Sequence, residues 1–595
     1  MTKRTQLEVF PNLVAMFLNR ADAKGAEPFL WRKSGGQWQS ISWRDAAHQV
    51  AALSASLLRL GLKPGDRVML VSENRPEWLI ADLAIMAAGC VTVPTYTTNT
   101  TRDHTHILGN SGARAVIVSN QKLARNLIPA VLFSSDCHDV IGIDDIRTGQ
   151  AMEGARFHAW DELTKDGGDV ADVRRRIAAV RREDLACLIY TSGTGGAPRG
   201  VRQHHGAVLH NVAACTDVIA NDFGWHDEIF LSFLPASHAY EHTGGQHFPI
   251  GLGAQIYYAE SLEKLAANIE EVRPTIMVVV PRLFEMLRAR ILKTIEKGGG
   301  LSRRLLNRAL QIGAERYQNG TIPLSDKPMD LLLGLTLRRK VGRKFGGRIK
   351  AMVSGGAPLN PEVGIFFDAL GLTLLQGYGQ TEAGPVISCN RPKNGIRMDT
   401  VGPPLLNTEV RIADDGEILV RGELVMHGYW RNDEETARVL KDAGDGTGVW
   451  LHTGDVGHFD EAGRIKITDR KKDLIVNDKG DNVSPQRVEG MLTLQPEIAQ
   501  AMVAGDQRPH LVGLLVPEPE LVQQMKGDES AIRAELGKAV DRVNADLSVI
   551  EKVRRFTIAD EPFTVENEQL TPSMKIRRHV IKARYGERLN ALYGR

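Results

Sequence analysis

The sequence predicts an α/β protein in two parts: a large, multi-subdomain N-terminal domain over residues 1–469 and a small α+β C-terminal domain over 470–595. Three observations carry this. Up to about residue 470, short apolar runs that read as strands alternate with longer runs of helical period. Near Leu419 the texture changes to short, hydrophilic runs punctuated by glycine. The 595 residues also exceed what one hydrophobic core organises.

In chain order, 68–71, 115–118, 186–190, 275–280 and 349–353 read as strands buried on both faces, each short, apolar and followed by turn residues. Helices are expected over 43–60 and 281–295. Asn360-Pro361 fits an N-cap followed by proline in the first turn, and Gly371 fits the stop. The apolar run 83–94 is too short to span a bilayer and reads as core. Beyond Leu419, the segments 422–430, 450–455 and 457–473 read as antiparallel strands and hairpins. The charged hexapeptide 469–474 is the candidate interdomain linker.

Composition excludes several classes. Hydrophobic residues make up 43% and charged residues 25%, so the chain is expected to fold rather than remain disordered. With 74 basic and 72 acidic residues, it has no overall field to attract nucleic acid. The five cysteines form no CxxC pair and no Cys/His cluster, which fits reduced thiols and a cytoplasmic protein. No secretory signal and no transmembrane run is read. Peripheral membrane contact stays open: the run 337–350 holds seven cations that could meet anionic lipid or coenzyme A phosphates, against the plainer reading of a solvated helical face.

Four motifs carry chemistry. Tyr190-Thr-Ser-Gly-Thr-Gly-Gly-Ala-Pro-Arg-Gly-Val201 runs from a buried strand into a loop rich in glycine and hydroxyls, which lets backbone amides approach phosphate oxygens. It is not a Walker loop, since no Gly-Lys-Ser/Thr closes it. Gln376-Gly-Tyr-Gly-Gln-Thr-Glu382 follows a second strand and offers a flat ring, a hydroxyl and a carboxylate suited to Mg²⁺. Thr453-Gly-Asp455 places an aspartate after a tight turn, where it can accept two ribose hydroxyls. Leu570-Thr-Pro-Ser-Met-Lys575 puts a lysine near the C-terminus. Taken singly, each also reads as an ordinary turn or a solvated side chain.

Together and in this order, the four resemble the acyl-adenylate-forming superfamily, over almost the whole chain. Further matches are Leu234-Pro-Ala-Ser-His238, Ser354-Gly-Gly-Ala-Pro358, Gly422–Tyr429 and Asp469-Arg-Lys-Lys-Asp473. Within that superfamily the chain is similar to bacterial long-chain acyl-CoA synthetases, through 280–291, a basic helical insertion reaching about Lys350, and the ending LTPSMKIRR. The resemblance implies a large adenylating domain, a small mobile C-terminal domain and an active site between them. It implies ATP, Mg²⁺ and coenzyme A, with a fatty acid as substrate.

The resemblance also assigns roles. Thr191, Ser192, Gly193, Thr194 and Gly195 would cradle the β- and γ-phosphates. Gly355, Gly356, Ala357, Gln376, Gly377 and Tyr378 would line the adenine and adenylate. Thr381 would approach the α-phosphate, and Glu382 with Thr191 would hold Mg²⁺. Asp455 and Arg470 would bind ribose, and Lys472 would be the hinge. His238 would sit near the acyl tunnel, and Lys575 would meet the carboxylate and α-phosphate. Four positions depart from the usual pattern: Gly195 for threonine, Arg199 for lysine, Val476 for a nucleotide-contacting lysine of some relatives, and Met574 for glycine. Alternatives are an adenylating enzyme using another acid or a carrier-protein thiol, and a catalytically silent acyl-nucleotide sensor. The absence of a carrier domain after Lys575 and the retention of Glu382, Asp455, Lys472 and Lys575 speak for a free thiol and for catalysis. Motifs indicate neither the acid nor the oligomeric state.

Overall fold

A computed structural model describes residues 7–147, 154–191, 197–297, 299–479, 481–571 and 575–594. The strands expected at 68–71, 115–118 and 186–190 fall in one seven-stranded sheet. Its order is Arg156–Ala159, Asp139–Gly142, Ala113–Val118, Arg67–Val71, Val91–Thr95, Leu185–Thr191, Arg199–His204. All its pairings are parallel except the last, where Leu185–Thr191 turns back antiparallel on Arg199–His204. The strands expected at 275–280 and 349–353 fall in an eight-stranded sheet, as Ile276–Val279 and Ala351–Ser354. Helices between the strands cover these sheets, as parallel crossovers require.

Local chemistry fixes the helix ends. The Ser42 hydroxyl accepts the Asp45 amide to start Trp43–Arg59, and the Asn360 side chain accepts the Glu362 amide to start Pro361–Ala369. The run 83–94 is core as expected: it ends the helix Pro76–Ala87, buried along its whole length, and supplies the strand Val91–Thr95. The Trp43 ring stacks on Phe29 with centroids 3.6 Å apart, at the centre of the largest apolar cluster. Asp82 is buried there too, and its Oδ2 pairs with Nε2 of His242 and of His247 at 3.2 and 3.0 Å. Burial opposes the Asp82 charge, yet the two imidazoles outweigh it and hold the carboxyl below the usual range.

A third, five-stranded sheet joins Glu409–Ile412, Glu417–Arg421, Leu440–Asp442, Val449–Phe459 and Ile465–Arg470. It begins ten residues before the expected change of texture near Leu419. The segment 422–430, expected as a strand, is a loop. Its amides are bonded to other parts of the chain instead: Met426 to the Glu382 carbonyl, His427 to Arg202 and Trp430 to Gly200. Residues beyond 475 build a three-stranded sheet from Ile498–Ala504, Leu511–Pro517 and Val553–Ile558, with apolar clusters on its two sides. All five cysteines are free thiols, and no helix among the described residues is long and apolar enough to cross a membrane.

Candidate active site

A single cavity of about 1460 Å³ reaches residues of all these parts. Part of its wall is apolar, formed by Val218, Ile219, Phe248, Ile276 and Val278, all of them buried. Another part is charged, formed by Glu382, Asp455, Arg470, Lys472 and Lys575. His238, Tyr240 and Gly355 also line it.

Strand ends build the charged part. The strand Leu374–Gly379 runs into a short 3₁₀ turn, Thr381–Ala383, which delivers Thr381 and Glu382 to the cavity. The turn is compact because a Cβ on Gly379 would lie 1.8 Å from the Pro385 carbonyl oxygen, so only glycine fits. Glu382 Oε1 accepts the Tyr429 hydroxyl at 2.8 Å, and Oε2 accepts no protein donor among the described residues. With the Thr191 hydroxyl on the same cavity, this gives oxygen donors of the kind Mg²⁺ takes alongside substrate phosphates.

Asp455 sits in the middle of the strand Val449–Phe459. Its Oδ2 accepts the Tyr378 hydroxyl at 2.7 Å, and its Oδ1 accepts Arg470 Nε at 3.1 Å. The tight turn expected before it is absent: Gly454 lies in the same strand with φ 71°, and Glu417 accepts its amide at 2.9 Å where the pairing with Glu417–Arg421 shifts register. Burial raises the Tyr378 hydroxyl pKa, and the Asp455 charge raises it further, so the phenol keeps its proton. Burial works against the Arg470 charge, but Asp455 and Asp473 overcome it.

Lys575 approaches from the C-terminal part. Its amide donates to the Thr571 hydroxyl at 3.0 Å, and the Thr571 amide donates to the Lys575 carbonyl at 2.8 Å, so these two residues are bonded to each other twice. Just beyond, Arg578 forks onto both oxygens of Glu489 at 2.7 and 2.6 Å, which ties the last helix down. Burial, followed by repulsion from Arg470, brings the Lys575 pKa down to about 8. Burial and Arg470 also lower that of Lys472.

His238 caps the short helix Ala239–Glu241, its Nδ1 accepting the Tyr240 amide at 3.2 Å. The neutral ring therefore carries its proton on Nε2. Burial, with Lys575 adding to it, pushes its pKa down to about 3, so the ring is uncharged at neutral pH. The Tyr240 hydroxyl donates to the Val353 carbonyl at 2.9 Å. Its ring packs close to Gly355, where an added Cβ would meet it at 2.8 Å.

The structure thus brings Thr191, His238, Gly355, Gly356, Ala357, Gly377, Tyr378, Thr381, Glu382, Asp455, Arg470, Lys472 and Lys575 onto one cavity. Gln376 is not among the lining residues. It is buried in the strand Leu374–Gly379, between Leu375 and Gly377, which do line the cavity. Ser192, Gly193, Thr194, Gly195 and Met574 lie outside the described residues. Arg199, expected to follow the phosphate loop, is held by an ion pair with Glu435 and lies over the Tyr429 ring at 4.6 Å. Val476 sits in a two-stranded ribbon, its amide bonded to Asp506 at 3.2 Å. Sequence reading gave no role to Tyr429, Glu417 or Glu435. Tyr429 stands in a quoted motif, but its contact with Glu382 joins residues 47 apart, and no local pattern signals it.

Residues 15–430 match the family model described as AMP-binding enzyme, and residues 472–595 match that of the AMP-binding enzyme C-terminal domain. The chain is 33% identical over 592 residues to the long-chain-fatty-acid–CoA ligase FadD15 of Mycobacterium tuberculosis, covering 94% of this chain and 93% of the relative. It is 30% identical to the peroxisomal long chain acyl-CoA synthetase 7 of Arabidopsis thaliana, covering 94% of this chain and 82% of the relative. The adenylation domain of a carboxylate reductase from Mycobacterium chelonae superposes with a TM-score of 0.75 at 22% identity, covering 99% of this chain and 92% of that one. The corresponding domain from Segniliparus rugosus, in complex with AMP and a co-purified carboxylic acid, gives 0.74 at 22% identity, covering 98% and 94%. At that identity the two structures speak for the fold alone.

Proposed function

Since the chain belongs to the AMP-binding enzyme family, we propose that it is an ATP-dependent long-chain fatty acid–CoA ligase. It converts the acid and ATP to acyl-AMP and pyrophosphate, and then acyl-AMP and coenzyme A to acyl-CoA and AMP. The observation that carries this reading is that one cavity is walled both by buried apolar side chains and by a cluster of cations and carboxylates. An apolar chain with a carboxylate head and a nucleotide triphosphate suit those two kinds of wall.

The residues suit the chemistry. A carboxylate is a poor nucleophile toward an α-phosphate that is itself negative, so charge must be neutralised where the two meet. Lys575 and the Thr381 hydroxyl would serve that point. Glu382 and Thr191 would hold Mg²⁺, which when bound neutralises phosphate charge. Asp455, fixed by Tyr378 and Arg470, would accept the ribose hydroxyls, and Gly355, Gly356, Ala357, Gly377 and Tyr378 would line the base. The neutral His238, with its proton on Nε2, would donate to the acyl carboxylate without adding charge to the tunnel. The apolar wall would keep water from the mixed anhydride.

Incubation with ATP, Mg²⁺, coenzyme A and palmitate should yield AMP and palmitoyl-CoA in equal amounts. Acyl-AMP without thioester would point to another acceptor, and no AMP at all would point to a silent binding protein.

A further inference from the structure

We propose that the helical insertion spanning residues 324–344 docks the enzyme on the surface of an anionic lipid bilayer. Lys327–Leu333, a π-helical turn at Gly334–Arg338 and Arg339–Lys344 follow one another without a break. Leu333 and Val341 face inward and are buried. On the outer side Leu324 is 78% exposed, Leu331 67%, Leu335 62% and Leu332 45%. Leucine is rarely left this open in a cluster unless something covers it.

Charge identifies the cover. Leu331, Leu335, Arg339 and Arg343 recur every four residues, so the leucines run into cations along one exposed stripe. Of the seven cations in 337–350, three are neutralised: Arg338 by Asp330, Lys344 by Glu270 and Lys350 by Glu228. Arg339, Lys340 and Arg343 are exposed and have no acceptor among the described residues. Leucines beside unpaired cations match the interface of an anionic bilayer, where apolar side chains enter the acyl boundary and cations meet lipid phosphates. A second copy of the chain would set the cationic stripe against itself. A nucleic acid would leave the leucines in water.

The same helical layer reaches the cavity. The helix Pro281–Lys297 lends Leu283 and Met286 to the cavity wall, and packs on Gly300–Asn319, which in turn contacts Lys327–Leu333. Met286 and Leu262 both line the cavity and are themselves exposed, which gives it an apolar lip. Drawing an acid from the bilayer through that lip rests on the proposed ligase function; docking itself does not.

Sedimentation of the full-length enzyme with vesicles tests docking without an activity readout. The wild type should pellet with phosphatidylcholine vesicles containing phosphatidylglycerol, much less with phosphatidylcholine alone, and should be released by salt. Leu331→Ser with Leu335→Ser, and separately Arg339→Glu with Lys340→Glu and Arg343→Glu, should each weaken vesicle binding roughly tenfold or more. Both variants should keep the wild-type melting temperature. Vesicle binding unchanged in both well-folded variants would overturn the proposal. So would a wild type that ignores vesicles but forms a dimer which the leucine variant dissociates.

Discussion

Lys575 gives up its proton more readily than an ordinary lysine because burial penalises its charge and Arg470 repels it, bringing the pKa to about 8. In the role proposed for Lys575 its cation meets the α-phosphate, so kcat/KM for ATP should fall as pH rises through about 8. That profile reports the free enzyme. The sign for stability is opposite. Between pH 8 and the ordinary lysine value of 10.5 the unfolded chain holds a proton that the folded one has lost. In that window Lys575 contributes stability that grows with pH. Lys575→Ala should cut acyl-AMP formation by about a hundredfold or more, the scale seen when one preorganised charge-stabilising donor is lost. Thioester formation from supplied acyl-AMP should fall far less. Equal losses in both half-reactions would remove Lys575 from its adenylating role.

At the scale of elements, the segment 469–474 joins the five-stranded sheet to the C-terminal part. Asp469 and Arg470 belong to the strand Ile465–Arg470, and the chain then turns, with the Asp473 and Leu474 amides on the Arg470 carbonyl at 2.9 and 3.0 Å. The Lys472 amide donates to no acceptor among the described residues. We propose Lys472 as the pivot, because in the proposed reaction Lys575 would have to leave the α-phosphate before the thiol attacks. A hinge works by changing backbone dihedrals at a few residues. Proline fixes φ and here would remove no hydrogen bond. Lys472→Pro should therefore impair thioester formation much more than adenylation, at an unchanged melting temperature. A folded variant that kept both rates would rule Lys472 out. Rotation would also break the exposed Lys293–Glu520 pair, now at 2.7 Å, at little cost.

At the scale of the whole molecule, apolar and charged residues line one cavity, so burial of an acyl chain can contribute to the reaction of the head group. Each methylene taken into the cavity gains about 0.8 kcal/mol, roughly fourfold in kcat/KM at full burial. From acetate upward, kcat/KM should climb to a maximum among acids of twelve to eighteen carbons (a range of about that length follows from the family resemblance and the buried apolar wall). A maximum at acetate, an aromatic acid or an amino acid would overturn the long-chain assignment and leave adenylation standing.

The sequence by itself determined the alternation of buried strands and helices, because period and turn residues are local. It also determined the ordered motifs at 190–201, 376–382, 453–455 and 570–575, whose residue types suit phosphate, metal and ribose. Even the cap at Asn360 was legible, since an N-cap is read within three residues. Only the tertiary structure decided how the groups are held. Asp455 is fixed by Tyr378, 77 residues away, and Glu382 by Tyr429, 47 residues away. Arg199 is drawn onto Glu435 across 236 residues. The segment 422–430 read as a strand because short, hydrophilic, glycine-punctuated texture is common to hairpins and loops, whereas its backbone is satisfied by Glu382 and the edge of another sheet. Gln376 read as part of the site because its motif is contiguous, whereas in the folded chain it is buried and not among the residues that line the cavity. The lysine pKa near 8 likewise exists only after folding: it comes from exclusion of water and from a guanidinium more than one hundred residues earlier in the chain.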